Sequence, residues 1–188
     1  MSLTQYYTAT TLDGFIADPD NSLEWLFTRK REEDGPLNYG EFIADVGAMA
    51  MGATSYEWIL GHEFGGKDPA DWTWMYDVPC WVFTHRDLPV VPGADLRFVS
   101  GDVASVHADM AAAAGERNLW IVGGGDLVGQ FADAGLLDEV IVQIAPVTLG
   151  GGASLLPRRL ELRVDETGRN GDFVCARYGV VRSSADTE

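Results

Sequence analysis

The stretch Trp120-Ile121-Val122-Gly123-Gly124-Gly125-Asp126-Leu127 joins an apolar run, typical of a buried strand, to a segment with helical character. Because glycine carries no side chain, the backbone at this junction can approach a phosphate closely, and the free N–H groups of the helix can bind it. A second stretch, Met49-Ala50-Met51-Gly52-Ala53-Thr54-Ser55, repeats the arrangement. Ligands of open α/β sheets bind at this edge, so the two turns predict a site for a pyrophosphate. Neither turn has the spacing of a Rossmann or P-loop motif.

Strand-like and helix-like segments alternate along the rest of the chain. Apolar or β-branched runs at 3–11, 47–51, 78–84, 96–99, 119–122, 140–147 and 173–181 predict strands, and 56–60, 102–114 and 127–134 predict helices. This alternation predicts an α/β fold with a mostly parallel sheet. No helix is predicted between the last two strands, so we expect a C-terminal antiparallel hairpin. Thr54 and Glu57 have capping-box spacing, and Asp34 with Pro36 predicts another helix start.

The charge balance excludes several classes of partner. The 188 residues include 29 acidic and 13 basic side chains, which give a formal net charge of −16. Nucleic acids and anionic membrane surfaces both require basic protein surfaces, so neither is an expected partner. The length predicts a single domain over residues 1–188.

The cysteines and the start of the chain indicate a compartment. Cys80 and Cys175 lie in apolar runs, which predicts buried free thiols in a reducing environment. The first residues lack the basic and apolar segments of a signal peptide. We therefore expect a cytoplasmic protein. The histidines, cysteines and carboxylates do not have metal-site spacing, so no metal is predicted.

Three further segments extend the pattern around the glycine triplet. They are Ala134-Gly135-Leu136-Leu137-Asp138-Glu139-Val140, Ile144-Ala145-Pro146-Val147-Thr148-Leu149-Gly150-Gly151-Gly152 and Thr11-Leu12-Asp13-Gly14-Phe15-Ile16-Ala17. Together these motifs resemble the dihydrofolate-reductase-like superfamily, in particular the C-terminal reductase domain of bacterial riboflavin-biosynthesis deaminase-reductases. The resemblance covers most of the chain, from about Thr4 to Val181. It implies a three-layer α/β fold and an NADPH-dependent oxidoreductase that transfers hydride.

The resemblance also implies which residues bind the cofactor. The two glycine-containing turns would hold its phosphates, the segment at residues 84–86 would lie at its adenosine end, and backbone groups at two further positions would flank the nicotinamide. The residues concerned are Ala9, Ile16, Gly52, Ala53, Thr54, Ser55, Thr84, His85, Arg86, Val122, Gly123, Gly124, Gly125, Asp126 and Leu127. By the pattern of dihydrofolate reductases, we expect a cis peptide bond between Gly123 and Gly124.

Candidate catalytic residues follow from the same resemblance. An acid near the second element orients the substrate in dihydrofolate reductases, and Asp34 is the candidate here, with Glu33 and Glu41 as alternatives. Asp13 beside Gly14 is a second candidate. Trp25 is expected to form a wall of the substrate pocket. Trp72, Trp74 and Tyr76 are expected to form part of an apolar pocket wall or a dimer contact.

The sequence leaves alternatives for the substrate and for the cofactor, and the resemblance bears on the oligomeric state. The expected reaction is reduction of a small heterocyclic or ribosylated substrate, resembling that of 5-amino-6-(5-phosphoribosylamino)uracil reductase. A stand-alone dihydrofolate or pterin reductase and a catalytically silent nucleotide-binding paralogue are the alternatives. NADPH is the expected cofactor and NADH the alternative, because Ala53 and Asp126 supply no positive charge and leave His85 and Arg86 for a 2′-phosphate. The resemblance also implies a homodimer formed through the C-terminal β segments.

Overall fold

A central sheet of eight strands, flanked by helices, organises the part of the chain that the computed structural model describes, residues 2–182. In chain order its elements are β1 (Thr4–Thr11), β2 (Phe15–Ala17), α1 (Glu24–Phe27), α2 (Tyr39–Ala44), β3 (Val46–Gly52), α3 (Ala53–Phe64), a 3₁₀ turn (Pro69–Asp71), β4 (Cys80–Phe83), β5 (Leu96–Val99), α4 (Val103–Ala114), β6 (Asn118–Gly123), α5 (Gly125–Asp133), β7 (Glu139–Ala145), β8 (Ala153–Ser154), β9 (Leu162–Asn170) and β10 (Phe173–Val180). The predicted single domain over 1–188 stays a prediction, and residues 1 and 183–188 lie outside the described residues.

The sheet is mostly parallel, as the alternation of strands and helices predicts. Its strand order is β5-β4-β3-β6-β1-β7-β10-β9, and the first six strands in this order are parallel to their neighbours. β10 runs antiparallel to both β7 and β9. β2 and β8 form a separate small antiparallel pair. The predicted α/β fold class is therefore confirmed.

Two apolar cores on opposite faces of the sheet create the three layers. Successive residues of β3 alternate between them, so Met49 and Met51 pack in the core that includes Tyr56 of α3. Ala48 and Ala50 point to the other core, which includes Met110 of α4. Each face of the sheet is thus covered by helices, as parallel sheets require. No helix within residues 2–182 is both long and apolar enough to cross a bilayer.

The predicted antiparallel arrangement of the C-terminal strands is confirmed, since β10 pairs antiparallel with β7. Three local details differ from prediction. The edge strand β9, which forms the hairpin with β10, was not predicted. The helix expected to start at Asp34 starts at Tyr39, because the Asn38 side chain accepts a hydrogen bond from Glu41 N at 2.8 Å and caps α2. The capping box at Thr54 is wrong because β3 runs directly into α3, whose N-cap is Gly52.

Candidate functional site

Two helix N-termini lie side by side at the carboxyl edge of the sheet. β3 and β6 are neighbouring parallel strands, with Met51 opposite Gly123, so the turns that follow them are adjacent. Gly52 and Gly124 occupy the N-cap positions of α3 and α5, and neither glycine has a side chain that could accept hydrogen bonds from the first N–H groups. These N–H groups, together with the positive ends of the two helix dipoles, are suited to binding phosphate.

Two cavities adjoin these turns. The outer cavity, of about 300 Å³, lies between the turns and the loops that follow β4 and β5. The inner cavity, of about 570 Å³, lies between the turns, β2 and the segment around Tyr76. The two cavities share Thr54, Ser55, Gly124 and Asp126 as lining residues, so they form one elongated cleft.

A third cavity opens from the inner one toward α2. This side cavity, of about 210 Å³, shares Thr8 and Val122 with the inner cavity. At its base Gln143 is buried, and its amide group donates hydrogen bonds to the Tyr7 hydroxyl and, at 2.9 Å, to the Leu37 carbonyl. The molecule therefore offers an elongated cleft with a smaller compartment beside one end.

Most of the predicted cofactor residues line the elongated cleft. Those in the outer cavity are Gly52, Ala53, Thr54, Ser55, Thr84, His85, Gly124, Asp126 and Leu127. Those in the inner cavity include Ile16, Val122, Gly123 and Gly125. Two do not line the cleft: Ala9 lines the side cavity, and Arg86 lies outside these cavities.

The glycine triplet has a specific local geometry. The peptide bond between Gly123 and Gly124 is cis, which confirms the prediction. A Cβ at Gly124 would meet no atom within 4 Å, so the space beside the helix N-terminus is open. A Cβ at Gly125 would lie 2.2 Å from the Ser154 carbonyl oxygen, so this glycine is required for packing against β8. The open space next to uncapped N–H groups fits the phosphates of a dinucleotide.

A model of the RibD C-terminal domain family matches residues 59–167, more than half of the chain. The chain belongs to this family. The uncharacterized protein YwjB of Bacillus subtilis is 30% identical over 185 residues, which cover 93% of this chain and 96% of YwjB. The predicted resemblance to riboflavin-biosynthesis reductase domains is thereby confirmed.

Two solved structures show the same architecture. A Shewanella sp. PV-4 protein assigned provisionally to riboflavin biosynthesis is 25% identical, with a TM-score of 0.78, and the match covers 96% of this chain and 99% of that one. The Thermotoga maritima diaminohydroxyphosphoribosylaminopyrimidine deaminase/5-amino-6-(5-phosphoribosylamino)uracil reductase is 14% identical, with a TM-score of 0.62. That match covers 96% of this chain and 57% of the Thermotoga protein, and it shows the fold alone.

Within this RibD C-terminal domain, the predicted carboxylates lie outside the three cavities. Asp34 and Glu33 are exposed in the loop before α2, and Glu41 lines a separate depression at the other end of the sheet. Asp13 accepts hydrogen bonds from the Thr11 hydroxyl and from the backbone N–H groups of residues 149 and 150, which hold its pKa below the usual range. Asp13 thus ties the β1–β2 turn to the loop after β7. The catalytic roles of Asp34 and Asp13 stay predictions.

The predicted aromatic residues divide between the core and the cleft. Trp25 is buried in the core next to Leu26, which lines the side cavity. Tyr76 lines the inner cavity, whereas Trp74 is buried in the core and Trp72 stacks on Phe64 with ring centroids 5.2 Å apart. Their role in a dimer contact is still a prediction.

The charged groups around the outer cavity are mostly paired. Arg86 makes a two-pronged ion pair with Glu57 of α3, at 2.9 and 2.7 Å. Asp126 accepts hydrogen bonds from Gln130 and Arg158, which lower its pKa. Asp126 is therefore a charged carboxylate beside the space where phosphates are expected.

Sequence reasoning missed several lining residues. Ser100 and Gly101 line the outer cavity. They are small residues that directly follow the strand β5, and this same pattern identified the other two turns. Gln130 lies one helical turn beyond Asp126. Tyr39 and Gln143 of the side cavity carry no local signal, because only the tertiary fold brings them together.

Proposed function

We propose that this protein is an NAD(P)H-dependent reductase of a small heterocyclic or ribosylated substrate. The observation that carries the proposal is the elongated cleft, which has two uncapped helix N-termini at its centre and a small side cavity at its inner end. A dinucleotide fits such a cleft because its pyrophosphate can meet the N–H groups while its two ends extend in opposite directions.

The chain's residues would then have separate roles along the cleft. The N-termini of α3 and α5 would bind the pyrophosphate, and Thr84, His85 and Ser100 would surround the adenosine end. Ile16 and Val122 would position the nicotinamide in the inner cavity, beside the side cavity. The bound cofactor would supply a hydride, and the protein would orient it and exclude water.

The side cavity would hold the heterocycle of the substrate. Its walls include Trp120 and Tyr39, and its base includes the amide of Gln143, so it combines flat apolar surfaces with a fixed polar group. We propose a pyrimidine of the type named for the Thermotoga relative as the first substrate to test. A dihydropterin is the second, and both would be reduced at a C=N or C=O carbon.

Binding of NADPH and NADH, measured separately by tryptophan fluorescence, tests the proposal. The chain has six tryptophans, and Trp58 lines the inner cavity, so we expect quenching on binding. The variant Gly124→Ala should weaken binding about 10-fold or more, because its methyl group would displace a phosphate from charge-assisted hydrogen bonds. Gly61→Ala, at another position with no atom within 4 Å, is the control. If neither cofactor binds at millimolar concentration, the reductase proposal is wrong.

Turnover distinguishes the reductase from a silent nucleotide-binding paralogue. We expect cofactor oxidation, followed by absorbance, with at least one member of a panel of pyrimidines, dihydropterins and cyclic imines. Binding of a cofactor without oxidation across the whole panel would favour the silent paralogue.

We also propose a homodimer formed through the C-terminal strands. Leu162 and Val164 of β9 are 39% and 60% exposed, and Val174 of β10 is 59% exposed. The strand register places Leu162 opposite Val180 and Val164 opposite Tyr178, so the exposed side chains continue an apolar stripe at the sheet edge. Sedimentation of the wild type and of Val164→Lys tests this, and a wild type that sediments as a monomer would contradict it.

A further inference from the structure

The two polar atoms of the Gln143 amide, at the base of the side cavity, are in different situations. The nitrogen Nε2 donates to the Tyr7 hydroxyl and, at 2.9 Å, to the Leu37 carbonyl. The oxygen Oε1 accepts no hydrogen bond from residues 2–182, yet it is not among the atoms of these residues that are sealed in the core without a partner. Because Gln143 is only 1% exposed and lines the side cavity, this oxygen is open to that cavity.

The partners of Nε2 fix the direction in which the amide points. The Leu37 carbonyl oxygen can only accept hydrogen bonds, so the atom of Gln143 that lies 2.9 Å from it must be the nitrogen. The Tyr7 hydroxyl gives its own hydrogen to the same carbonyl, at 3.0 Å, and is therefore left to accept from Nε2. A reversed amide would lose both hydrogen bonds. Gln143 therefore presents a hydrogen-bond acceptor of fixed orientation to the side cavity.

The other polar side chains that line the side cavity have different hydrogen-bonding capacities. The indole N–H of Trp120 donates to the Tyr7 main-chain carbonyl at 3.1 Å, so it is already used. The hydroxyls of Thr8 and Tyr39 can each donate and accept, so they adapt to either kind of ligand atom. The guanidinium of Arg31 can only donate. The cavity thus offers a fixed acceptor together with donors of opposite preference.

We propose that Gln143 is a specificity-determining residue whose Oε1 accepts a hydrogen bond from a ring N–H of the substrate. This inference rests on the proposed reductase function, because it assigns the edge by which the heterocycle would enter the side cavity. The chemical group that matches is a lactam, –CO–NH–, since its N–H would meet Oε1 while its C=O accepts from Arg31. Pyrimidinones and pterins both carry such an edge.

The burial of Gln143 gives this selection its strength. A ring in the cavity would displace water from Oε1, so a ring without an N–H would leave a buried acceptor unsatisfied. A site built to hydrogen-bond a ligand rejects an analogue that lacks the donor more strongly than an apolar pocket rejects a change of size. The flat surfaces of Trp120 and Tyr39 would add contact area for either kind of ring, so they do not select between them.

Calorimetric titration with a matched pair of pyrimidines tests the assignment. 5,6-Diaminouracil carries ring N–H groups, whereas 5,6-diamino-1,3-dimethyluracil carries methyl groups in their place, and both retain their C=O groups. We expect the wild type to bind 5,6-diaminouracil more tightly by about 10-fold or more. Equal affinities for the two compounds, or no binding of either, would overturn the inference.

Substitutions separate selection by the amide from a steric or structural effect. In Gln143→Leu the preference should fall below about 2-fold because no acceptor remains, whereas a preference caused by the size of the methyl groups would persist and overturn the inference. Gln5→Leu is the control, because Gln5 is also buried and donates to Glu139 at the other end of the sheet; this variant should keep the wild-type preference. Arg31→Ala should weaken both compounds and leave the ratio of their affinities unchanged.

The inference and the proposed function fail in different measurements. The pyrimidine titrations contain no cofactor, so they report on the side cavity alone. Failure of the wild type to bind NADPH and NADH would instead refute the proposed reductase function. In the active enzyme, Gln143→Leu should raise the KM of a lactam substrate by about 10-fold or more and change kcat by less than about 3-fold, because the hydrogen bond is made equally in the ground state and the transition state.

Discussion

Substitution of Gly125 by alanine should destabilise the fold through a clash with main-chain atoms. A Cβ at this position would lie 2.2 Å from the Ser154 carbonyl oxygen and 2.6 Å from that of Leu155, whereas real Cβ contacts essentially never fall below 3.0 Å. The segment around β8 must therefore retreat by roughly 0.8 Å. Because Ser154 pairs with Phe15, the shift would also move β2, which carries Ile16 of the inner cavity.

The size of the effect follows from two opposing contributions. Overpacking of this kind costs about 1–3 kcal/mol, and alanine in place of glycine in a helix recovers at most about 1 kcal/mol. We expect Gly125→Ala to lower the free energy of unfolding by about 2 kcal/mol. For a chain of this length that corresponds to a fall in Tm of roughly 4–8 °C.

Gly124→Ala provides a matched control one residue earlier. Its backbone dihedrals, φ −67° and ψ 164°, suit alanine, and its Cβ would meet no atom within 4 Å. We expect this variant to unfold like the wild type while it binds cofactor more weakly. Urea unfolding and tryptophan fluorescence measure the two properties separately. The reasoning is refuted if Gly125→Ala is as stable as the wild type, or if Gly124→Ala is destabilised to the same extent.

Other contacts lead to further measurable outcomes. Arg86→Ala should weaken the binding of NADPH more than that of NADH. Glu57→Gln should strengthen the binding of NADPH relative to NADH by up to about 5-fold, because an exposed ion pair is worth at most about 1 kcal/mol. Equal effects on the binding of both cofactors, measured by fluorescence titration, would remove Arg86 from the 2′-phosphate site. Asn170→Ala should cost about 1–3 kcal/mol in urea unfolding, because the buried Asn170 amide bonds the main chain of Glu32 at 2.7 and 3.1 Å. The pKa of Asp13 is lowered from 3.8, so its contribution to stability holds above that value and is lost as the pH falls through the lower folded-state pKa. Asp13→Asn should flatten the acid end of the stability profile, and an unchanged profile would contradict this.

The parts of the fold that sequence reasoning predicted are those with strong local signals. β3 and β6 are apolar runs that end in small residues, and the helix predicted over 102–114 is α4, which Asp102 caps through its side chain. β9 was missed because most of its residues are exposed, as on an edge strand, so no apolar periodicity marks it. Asp34 and Asn38 are both good capping residue types, and only the contacts of Asn38 with Gly35 and Glu41 decide between them.

The candidate site likewise has one part with local sequence signals and one part without them. Its phosphate-binding turns are local in sequence, so glycine spacing identifies them. The side cavity is not local: Gln143 reaches the Tyr7 hydroxyl and the Leu37 carbonyl across 136 and 106 residues of sequence. Such a constellation depends on β1 and β7 being paired and on the loop before α2 folding over them. No periodicity within one segment contains this information.

The net charge of −16 bears on which cofactor such a site would favour. No lysine or arginine is among the described residues that line the outer or inner cavity, so backbone N–H groups and helix dipoles would have to bind the pyrophosphate. These donors are neutral and serve NADH and NADPH equally, because the pyrophosphate is common to both. The 2′-phosphate of NADPH adds further negative charge in an acidic protein, beside the carboxylate of Asp126. Its binding would therefore depend on His85 and on how readily Arg86 leaves Glu57, so this exposed ion pair would have the largest influence on the choice between the two cofactors.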